Sequence, residues 1–152
     1  MAVKAIPDGY YSLTPYIVVK GARDAMAFYT KAFGAREILS MPGPGGSVMH
    51  AEMQIGNARF MLADENLDRG SKSPSTLGGA AGSIMIYTDD VDATFKRAVD
   101  SGAKVAMPVQ DMFWGDRYGI VIDPFGQQWQ IATHKEDVSP EEMGKRMKAM
   151  AG

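Results

Sequence analysis

The feature that most constrains this chain is an internal repeat of a strand followed by a helix that ends in glycine. The segment from Leu13 to Ile38 contains a short run rich in valine and isoleucine, then apolar residues at helical spacing, then Gly34. The segment from Ser83 to Val105 repeats that order and ends its helix at Gly102. These patterns predict a buried strand, an amphipathic helix and a glycine stop in each segment. The chain therefore holds two copies of one supersecondary unit.

Three strand-like segments follow each helix, and turn residues separate them. They are "REILSM", "SVMHAEMQI" and "ARFMLAD" in the first copy, and "KVAMPV", "YGIVI" and "QQWQIATH" in the second. Glycine or proline in "PGPGG", "GN" and "DPFG" permits each reversal of the chain. Each copy is therefore a predicted βαβββ module. We expect a single domain made of a first module (13–64), an inter-module loop (65–81), a second module (82–134) and a helical tail (135–152).

The composition narrows the classes of partner. The chain has 152 residues, of which 45% are hydrophobic and 22% charged, and its formal net charge is −2. That balance does not favour nucleic acid or an anionic membrane, and no apolar run reaches the length of a membrane span. Because cysteine is absent, disulfides, thiolate nucleophiles and sulfur-ligated metals are excluded. We expect a cytoplasmic protein whose partners are a small-molecule ligand and a second copy of itself, as a homodimer.

Several motifs in the two modules resemble a known superfamily. "FYTKAFGA" in the first helix, "DVDATFKRAVDSGA" in the second and "DPFG" before the last strand are similar to the vicinal oxygen chelate superfamily of glyoxalases, bleomycin-resistance proteins and extradiol dioxygenases. "SPSTLGG", "MFWGDRYG" and "DPFGQQW" resemble its PhnB-like branch. The resemblance implies an α+β fold in which two tandem βαβββ modules form a curved, half-open mixed β-sheet around a cavity, with the helices outside. It implies no single activity, because this fold hosts lyases, isomerases, oxygenases and binding proteins.

The resemblance also implies metal-ligand positions on the first and last strands of each module. Counted from the helix motifs, the first-strand positions fall on Thr14 and Ser83. Counted from the turn glycines, the last-strand positions fall on Phe60 and Gln130. None of the four is ionisable, and neutral groups do not offset the charge of a hard divalent cation. We therefore predict no metal and no other cofactor, and regard Thr14, Ser83 and Gln130 as ligand-binding candidates.

The segment "HAE" supplies the candidate acid-base groups. His50 and Glu52 are two residues apart on a strand, so their side chains face the same side. With His134 they could form the two-histidine, one-carboxylate set of non-haem iron oxygenases, although nothing in the repeat brings His134 to them. Without a metal, Glu52 is the candidate general base, with its pKa raised by apolar surroundings, and His50 is its tentative catalytic partner. Alternatively, Glu52 forms an ion pair with Arg117 or Arg59.

The loop "FWGDRYG" supplies further ligand-binding candidates. Trp114 could form an apolar wall at the cavity mouth, and Arg117 could bind a carboxylate or phosphate beside Asp116. Trp114 could equally cover the end of the sheet while Asp116 and Arg117 brace the loop. On the last strand, alternation directs Gln130 toward the cavity and Trp129 toward the helices.

Two classes of function are open at this point. The favoured function is the binding of a small organic molecule in the sheet cavity without the usual divalent metal, which resembles the drug-binding resistance proteins. The alternative is an isomerase or lyase that acts next to a carbonyl, with Glu52 as general base and His50 or Arg117 stabilising an oxyanion. A metal-dependent enzyme of the glyoxalase or dioxygenase type is a further alternative, which the four neutral positions disfavour.

Overall fold

A computed structural model describes residues 2–151, and its first half is one βαβββ module. The elements are β1 (Tyr16–Val19), α1 (Ala22–Phe33), β2 (Arg36–Pro42), β3 (Val48–Ile55) and β4 (Ala58–Asp64). The sheet order is β1-β4-β3-β2, in which β1 runs parallel to β4 and the other neighbours are antiparallel. The helix carries the chain from one edge of the sheet to the other, so β1 and β2 are the edge strands.

The second half repeats this architecture after a connection that contains α2 (Pro74–Leu77). Its elements are β5 (Ser83–Tyr87), α3 (Val91–Asp100), β6 (Lys104–Asp111), β7 (Asp116–Ile122) and β8 (Gln128–His134). The sheet order is β5-β8-β7-β6, again with one parallel pair, β5 and β8. The predicted α+β fold of two tandem βαβββ modules is confirmed, and each module has its own four-stranded mixed sheet.

The chain ends in α4 (Pro140–Met150), which lies on the surface. The hydroxyl of Ser139 accepts a hydrogen bond from the backbone N–H of Glu142 at 3.2 Å and so caps the N-terminus of this helix. Arg146 ties the helix back to Glu136 with a 2.7 Å ion pair. Within residues 2–151, no helix is long and apolar enough to cross a membrane.

The two helices that follow β1 and β5 begin in matching ways. The N-cap of α1 is Gly21, which has no side chain to accept a hydrogen bond, and Asp64 at the end of β4 accepts the N–H of Ala22 at 2.9 Å instead. At the corresponding place in the second module, Thr133 on β8 accepts the N–H of Val91 at 2.9 Å. The last strand of each module thus accepts an N–H from the start of the helix of the same module, with a carboxylate in one case and a hydroxyl in the other. In α3 the N-cap residue Asp90 adds a side-chain cap, which accepts the N–H of Ala93 at 2.9 Å.

An aromatic cluster joins the two modules on the helix side of the sheets. Trp129 of β8 packs against three rings of the first module, with centroid separations of 5.2 Å to Tyr29, 5.0 Å to Phe33 and 6.0 Å to Phe60. Tyr29 and Trp129 are almost completely excluded from solvent. Large aromatic side chains dominate the energetics of such cores, so this cluster fixes how the modules sit against each other.

Asp123, in the "DPFG" turn, is the polar centre of this junction. Its carboxylate accepts hydrogen bonds from the hydroxyl of Tyr29 at 2.8 Å and from the indole N–H of Trp129 at 2.9 Å. The backbone N–H groups of Phe125 and Gln127 donate to its other oxygen, each at 2.9 Å. Burial raises the pKa of Asp123, and these four donors counteract part of that increase. The motif therefore has a structural role here, since it ties α1 to the last hairpin.

Candidate functional site

A cleft opens between the β3–β4 hairpin of the first module and β5 of the second. Its volume is about 290 Å³. Apolar side chains form most of the wall: Pro15, Ile55, Phe60, Ile84, Met85 and Trp129. Of the described residues that line the cleft, Arg59 alone carries a charge. A concave, mostly apolar site with few polar groups is typical of small-molecule pockets, and this volume suits a ligand of one or two rings.

A chain of hydrogen bonds crosses the face of the first sheet that points away from α1. The hydroxyl of Tyr16 contacts Nδ1 of His50 at 3.1 Å, and Nε2 of His50 contacts the Glu52 carboxylate at 3.3 Å. A neutral imidazole with its proton on Nε2 satisfies both contacts. The hydroxyl of Tyr10, which comes from the segment before β1, donates to the other oxygen of Glu52. His50 and Glu52 therefore lie side by side, as the strand alternation predicted.

This environment lowers the pKa of Glu52, which reverses the sequence-based expectation. The hydrogen bond from Tyr10 is the largest cause, burial acts in the opposite direction, and His50 and Arg59 add to the lowering. The expected rise toward neutrality does not occur, because two donors stabilise the ionised carboxylate more than desolvation opposes it. A base with a lowered pKa abstracts protons less effectively near neutral pH.

Arg59 is the neighbour that connects this network to the cleft. Its Cζ atom lies 5.0 Å from the centroid of the Tyr10 ring, within the range of a cation–π contact. A Cβ added at Gly9 would lie 2.6 Å from that Cζ, so the backbone before Tyr10 rests directly on the guanidinium. Gly9 has a φ of +84°, a conformation that favours glycine. The segment around Gly9 and Tyr10 belongs to no repeat, so the sequence carried no signal for its position.

Two of the four implied metal-ligand positions lie together on the second sheet. The amide of Gln130 on β8 donates to the hydroxyl of Ser83 on β5, on the face away from α3. Thr14 precedes β1, and its hydroxyl donates to the carbonyl oxygen of Tyr11 at 3.2 Å. Ser83 and Gln130 thus satisfy each other, and Thr14 satisfies a local turn.

The fourth position is not the one predicted. Phe60 faces the helices and packs on Trp129, so it cannot correspond to Gln130. Met61 occupies that place instead, because Met61 pairs with Tyr16 on β1 as Gln130 pairs with Met85 on β5. Counting from the turn glycine failed because the two glycines are not equivalent: Met61 lies five residues after Gly56, whereas Gln130 lies four residues after Gly126.

The β3–β4 turn has two residues between the paired Ile55 and Ala58, whereas the β7–β8 turn spans residues 123–127. The resulting donor set of Thr14, Met61, Ser83 and Gln130 contains no carboxylate or imidazole. It does not fit the hard divalent cation that the fold family implies.

The histidines do not converge on a metal site either. His50 lies on the first sheet beside Tyr16, and His134 ends β8 on the second sheet. Within residues 2–151, no group of three His, Cys, Asp or Glu side chains is placed to hold a metal ion. The two-histidine, one-carboxylate arrangement considered from the sequence is therefore not formed.

Asp116 organises a second polar cluster, on the face of the second sheet that points away from α3. The buried carboxylate accepts hydrogen bonds from the hydroxyl of Tyr87 at 3.0 Å and from the indole N–H of Trp114 at 3.1 Å. It also contacts Nδ1 of His134 at 2.7 Å, and Nε2 of that ring contacts Asp137 at 2.9 Å. Burial raises the pKa of Asp116, but the three donors outweigh it and the net pKa is lowered. Asp137 first, then Asp116, raise the pKa of His134.

The side chain of Arg117 does not lie in the same cluster as those of Trp114 and Asp116. Asp116 is the first residue of β7, so strand alternation places the next side chain on the opposite face. There the guanidinium binds both oxygens of Asp92 on α3, at 2.7 and 2.8 Å, and contacts Asp111 at 3.2 Å. The structure therefore places Arg117 between sheet and helix, away from Glu52 and from the cleft.

The sequence model of the Glyoxalase/Bleomycin resistance protein/Dioxygenase superfamily matches residues 12–131. The chain belongs to this superfamily. Its relatives include the uncharacterized protein Mb0911c of Mycobacterium bovis, which is 40% identical over 150 residues that cover 97% of this chain and 96% of that protein. The protein At5g48480 of Arabidopsis thaliana is 29% identical over 126 residues, 78% of this chain and 75% of that protein.

Solved structures carry the same architecture. The At5g48480 structure superposes with a TM-score of 0.65 at 27% identity, over 81% of this chain and 98% of that one. TioX from Micromonospora sp. ML1 superposes with a TM-score of 0.64 at 26% identity, over 82% of this chain and 98% of that one. A PhnB protein from Bacillus cereus, at 21% identity and a TM-score of 0.63 over 81% and 99% of the two chains, shares the fold. The resemblance that the sequence motifs suggested is confirmed.

Proposed function

We propose that this protein binds a small organic molecule in the inter-module cleft and that it does so without a divalent metal. The cleft itself carries the proposal, because both modules contribute apolar side chains to one concave site of ligand size. The neutral donor set at the family's metal positions supports the second part, since hydroxyl, thioether and amide groups compete poorly with water for a hard cation.

The enzyme alternative has weaker support. A base at Glu52 needs a free carboxylate oxygen, yet one oxygen accepts from Tyr10 and the other contacts His50. The lowered pKa of Glu52 also works against proton abstraction. An oxyanion role for Arg117 would require that side chain in the cleft, whereas it binds Asp92 on α3.

We also propose that the protein forms a homodimer. β1 and β5 are edge strands of their sheets, and Tyr16 and Tyr87 at these edges are 51% and 62% exposed. Unpaired edges with apolar side chains favour association, and two-fold assembly is the most common solution. Sedimentation equilibrium should give twice the chain mass; a monomer at micromolar concentration would contradict this part of the proposal.

The binding proposal is tested by a thermal-shift screen of small organic compounds against the purified protein. A ligand at about 100 times its Kd stabilises the folded state by about 2.7 kcal/mol. Met85→Trp fills the cleft and should abolish the shift for each hit. The matched control is Met147→Trp, on an exposed position of α4 that is 56% accessible, and it should leave the shift intact.

Two results would overturn the proposal. One is that Met85→Trp retains the shift for every hit, which would place binding elsewhere. The other is a stoichiometric divalent metal in protein purified without chelator, measured by elemental analysis, which would contradict metal-free binding.

A further inference from the structure

We infer that the cleft takes an amphipathic anion, an apolar body that carries one carboxylate, sulfonate or phosphonate group, and that Arg59 binds the anionic group. The inference rests on the proposed binding function and adds the chemical class of the ligand. Its starting point is Arg59, the one charged side chain among the described residues that line this mostly apolar cleft.

The guanidinium of Arg59 has the Tyr10 hydroxyl as a polar neighbour but no anionic partner among residues 2–151. Among residues 2–151, its Nε is buried without a hydrogen-bond acceptor, and no carboxylate oxygen lies within the 4.0 Å of an ion pair. Two other arginines show the usual arrangement, since Arg117 binds Asp92 and Asp111 while Arg146 binds Glu136 and Glu142. A guanidinium without a counter-ion beside an apolar wall carries a desolvation penalty, which a bound anion offsets.

Glu52 is the nearest candidate for that missing partner, and it is already engaged. Tyr10 donates to one of its oxygens and His50 contacts the other. Its negative charge attracts Arg59 only at longer range. The positive charge at the cleft therefore remains available to a ligand.

The surroundings hold the guanidinium in place before any ligand arrives. The Tyr10 ring covers it at 5.0 Å, and the backbone at Gly9 rests against its Cζ. An arginine already fixed by its neighbours loses little side-chain freedom on binding, which favours affinity. The guanidinium can donate to two oxygens of one carboxylate, sulfonate or phosphonate group.

The apolar side chains of the cleft determine the chemistry of the uncharged part of the ligand. Ile55, Ile84 and Met85 offer carbon and sulfur surfaces, and Phe60 and Trp129 offer aromatic edges. Such walls gain from burying an apolar body and offer no second charge to a doubly charged ligand. One anionic group at the Arg59 end, with an aromatic or aliphatic remainder, fits the charge and the mostly apolar lining of the cleft.

Two fluorescent dyes with the same ring system test this directly. 1-Anilinonaphthalene-8-sulfonate carries one sulfonate, and N-phenyl-1-naphthylamine is its neutral counterpart. Both are titrated into the wild-type protein and into Arg59→Gln, with melting curves to verify that each variant is folded. We expect the affinity ratio of anionic to neutral dye to fall at least about tenfold in Arg59→Gln, as for loss of a charge-assisted contact.

The controls separate this inference from general binding. Arg36→Gln removes an exposed arginine on the same sheet, one that donates to Gln54 at 2.8 Å, and should leave the ratio unchanged. Arg59→Lys keeps the charge and should retain part of the preference. A ratio within twofold of wild type in Arg59→Gln would overturn the anion inference, and the binding proposal would still stand if Met85→Trp weakens both dyes. Failure of both dyes to bind the wild-type protein would count against the cleft as an apolar site and against both proposals.

Discussion

The hydrogen bond between Tyr29 and Asp123 gives the sharpest prediction about stability, because it joins the two modules at a fully buried position. Tyr29→Phe removes the hydroxyl and keeps the ring, so the contacts to Phe33 and Trp129 remain and no cavity forms. The loss is one buried hydrogen bond to a carboxyl group, for which about 1.5–3 kcal/mol is typical. Asp123 keeps three other donors, which places the expected loss near the lower end, about 1.5–2 kcal/mol.

Urea unfolding followed by tryptophan fluorescence measures this difference, since Trp129 lies in the same cluster. The midpoint should fall with an unchanged slope, and Tm should fall by roughly 3–8 °C. Tyr11→Phe is the matched control, because Tyr11 is 61% exposed and its loss should change stability by less than about 0.5 kcal/mol. If Tyr29→Phe were as neutral as the control, the argument that this bond holds the modules together would be wrong.

Three further predictions follow from contacts outside the cleft. Asp64→Ala removes the acceptor for the backbone N–H groups of Gly21, Ala22 and Val48. It should lower the free energy of unfolding, measured by urea denaturation, by about 2 kcal/mol. An unchanged urea midpoint would rule out Asp64 as the cap of α1. Asp137 and Asp116 raise the pKa of His134. The stability that protonation of His134 contributes is therefore complete below the ordinary histidine pKa and is lost as pH rises through the raised pKa. Between pH 6 and 9, Tm should decline more in wild type than in His134→Gln, and parallel curves would contradict this. Arg117→Gln should leave dye affinity within twofold and change Tm little, because its ion pairs to Asp92 and Asp111 are solvent-exposed. A large loss of affinity would show that Arg117 reaches the ligand.

The repeat made much of the fold predictable. A strand, a helix and a glycine stop recur in order in both modules. The structure shows one further correspondence, in how the helices are capped, that the sequence motifs did not predict. Asp64 and Thr133 occupy the same place in their modules and cap α1 and α3. The two residue types differ, but both offer an oxygen that accepts a hydrogen bond. Both modules therefore meet the same requirement, an acceptor for a free backbone N–H at the start of the helix.

The register of the last strands was not predictable from the same repeat. Counting from glycine assumed that Gly56 and Gly126 occupy the same place in their turns, and because they do not, the count fell on Phe60 instead of Met61. Since side chains alternate along a strand, a shift of one residue exchanges the helix side for the opposite face. The same alternation separates Asp116 from Arg117, which the sequence had grouped in one loop.

The contacts of Tyr10 with Glu52 and Arg59 could not be predicted from the sequence. These contacts join a non-repeated N-terminal segment to β3 and β4, more than forty positions along the chain. Periodicity and turn chemistry describe neighbours along the chain, and they hold no information about which surface an irregular segment will cover. The missing counter-ion of Arg59 is likewise a property of the assembled molecule.

The aromatic cluster around Trp129 limits how this chain can be cut or recombined. The tryptophan belongs to the second module, and the rings that cover it belong to the first. A chain divided in the connection between the modules would leave apolar surface exposed on both pieces, which favours aggregation. The repeat is therefore not an exchangeable unit: a chimaera that takes one module from a relative would have to bring the facing aromatic residues with it.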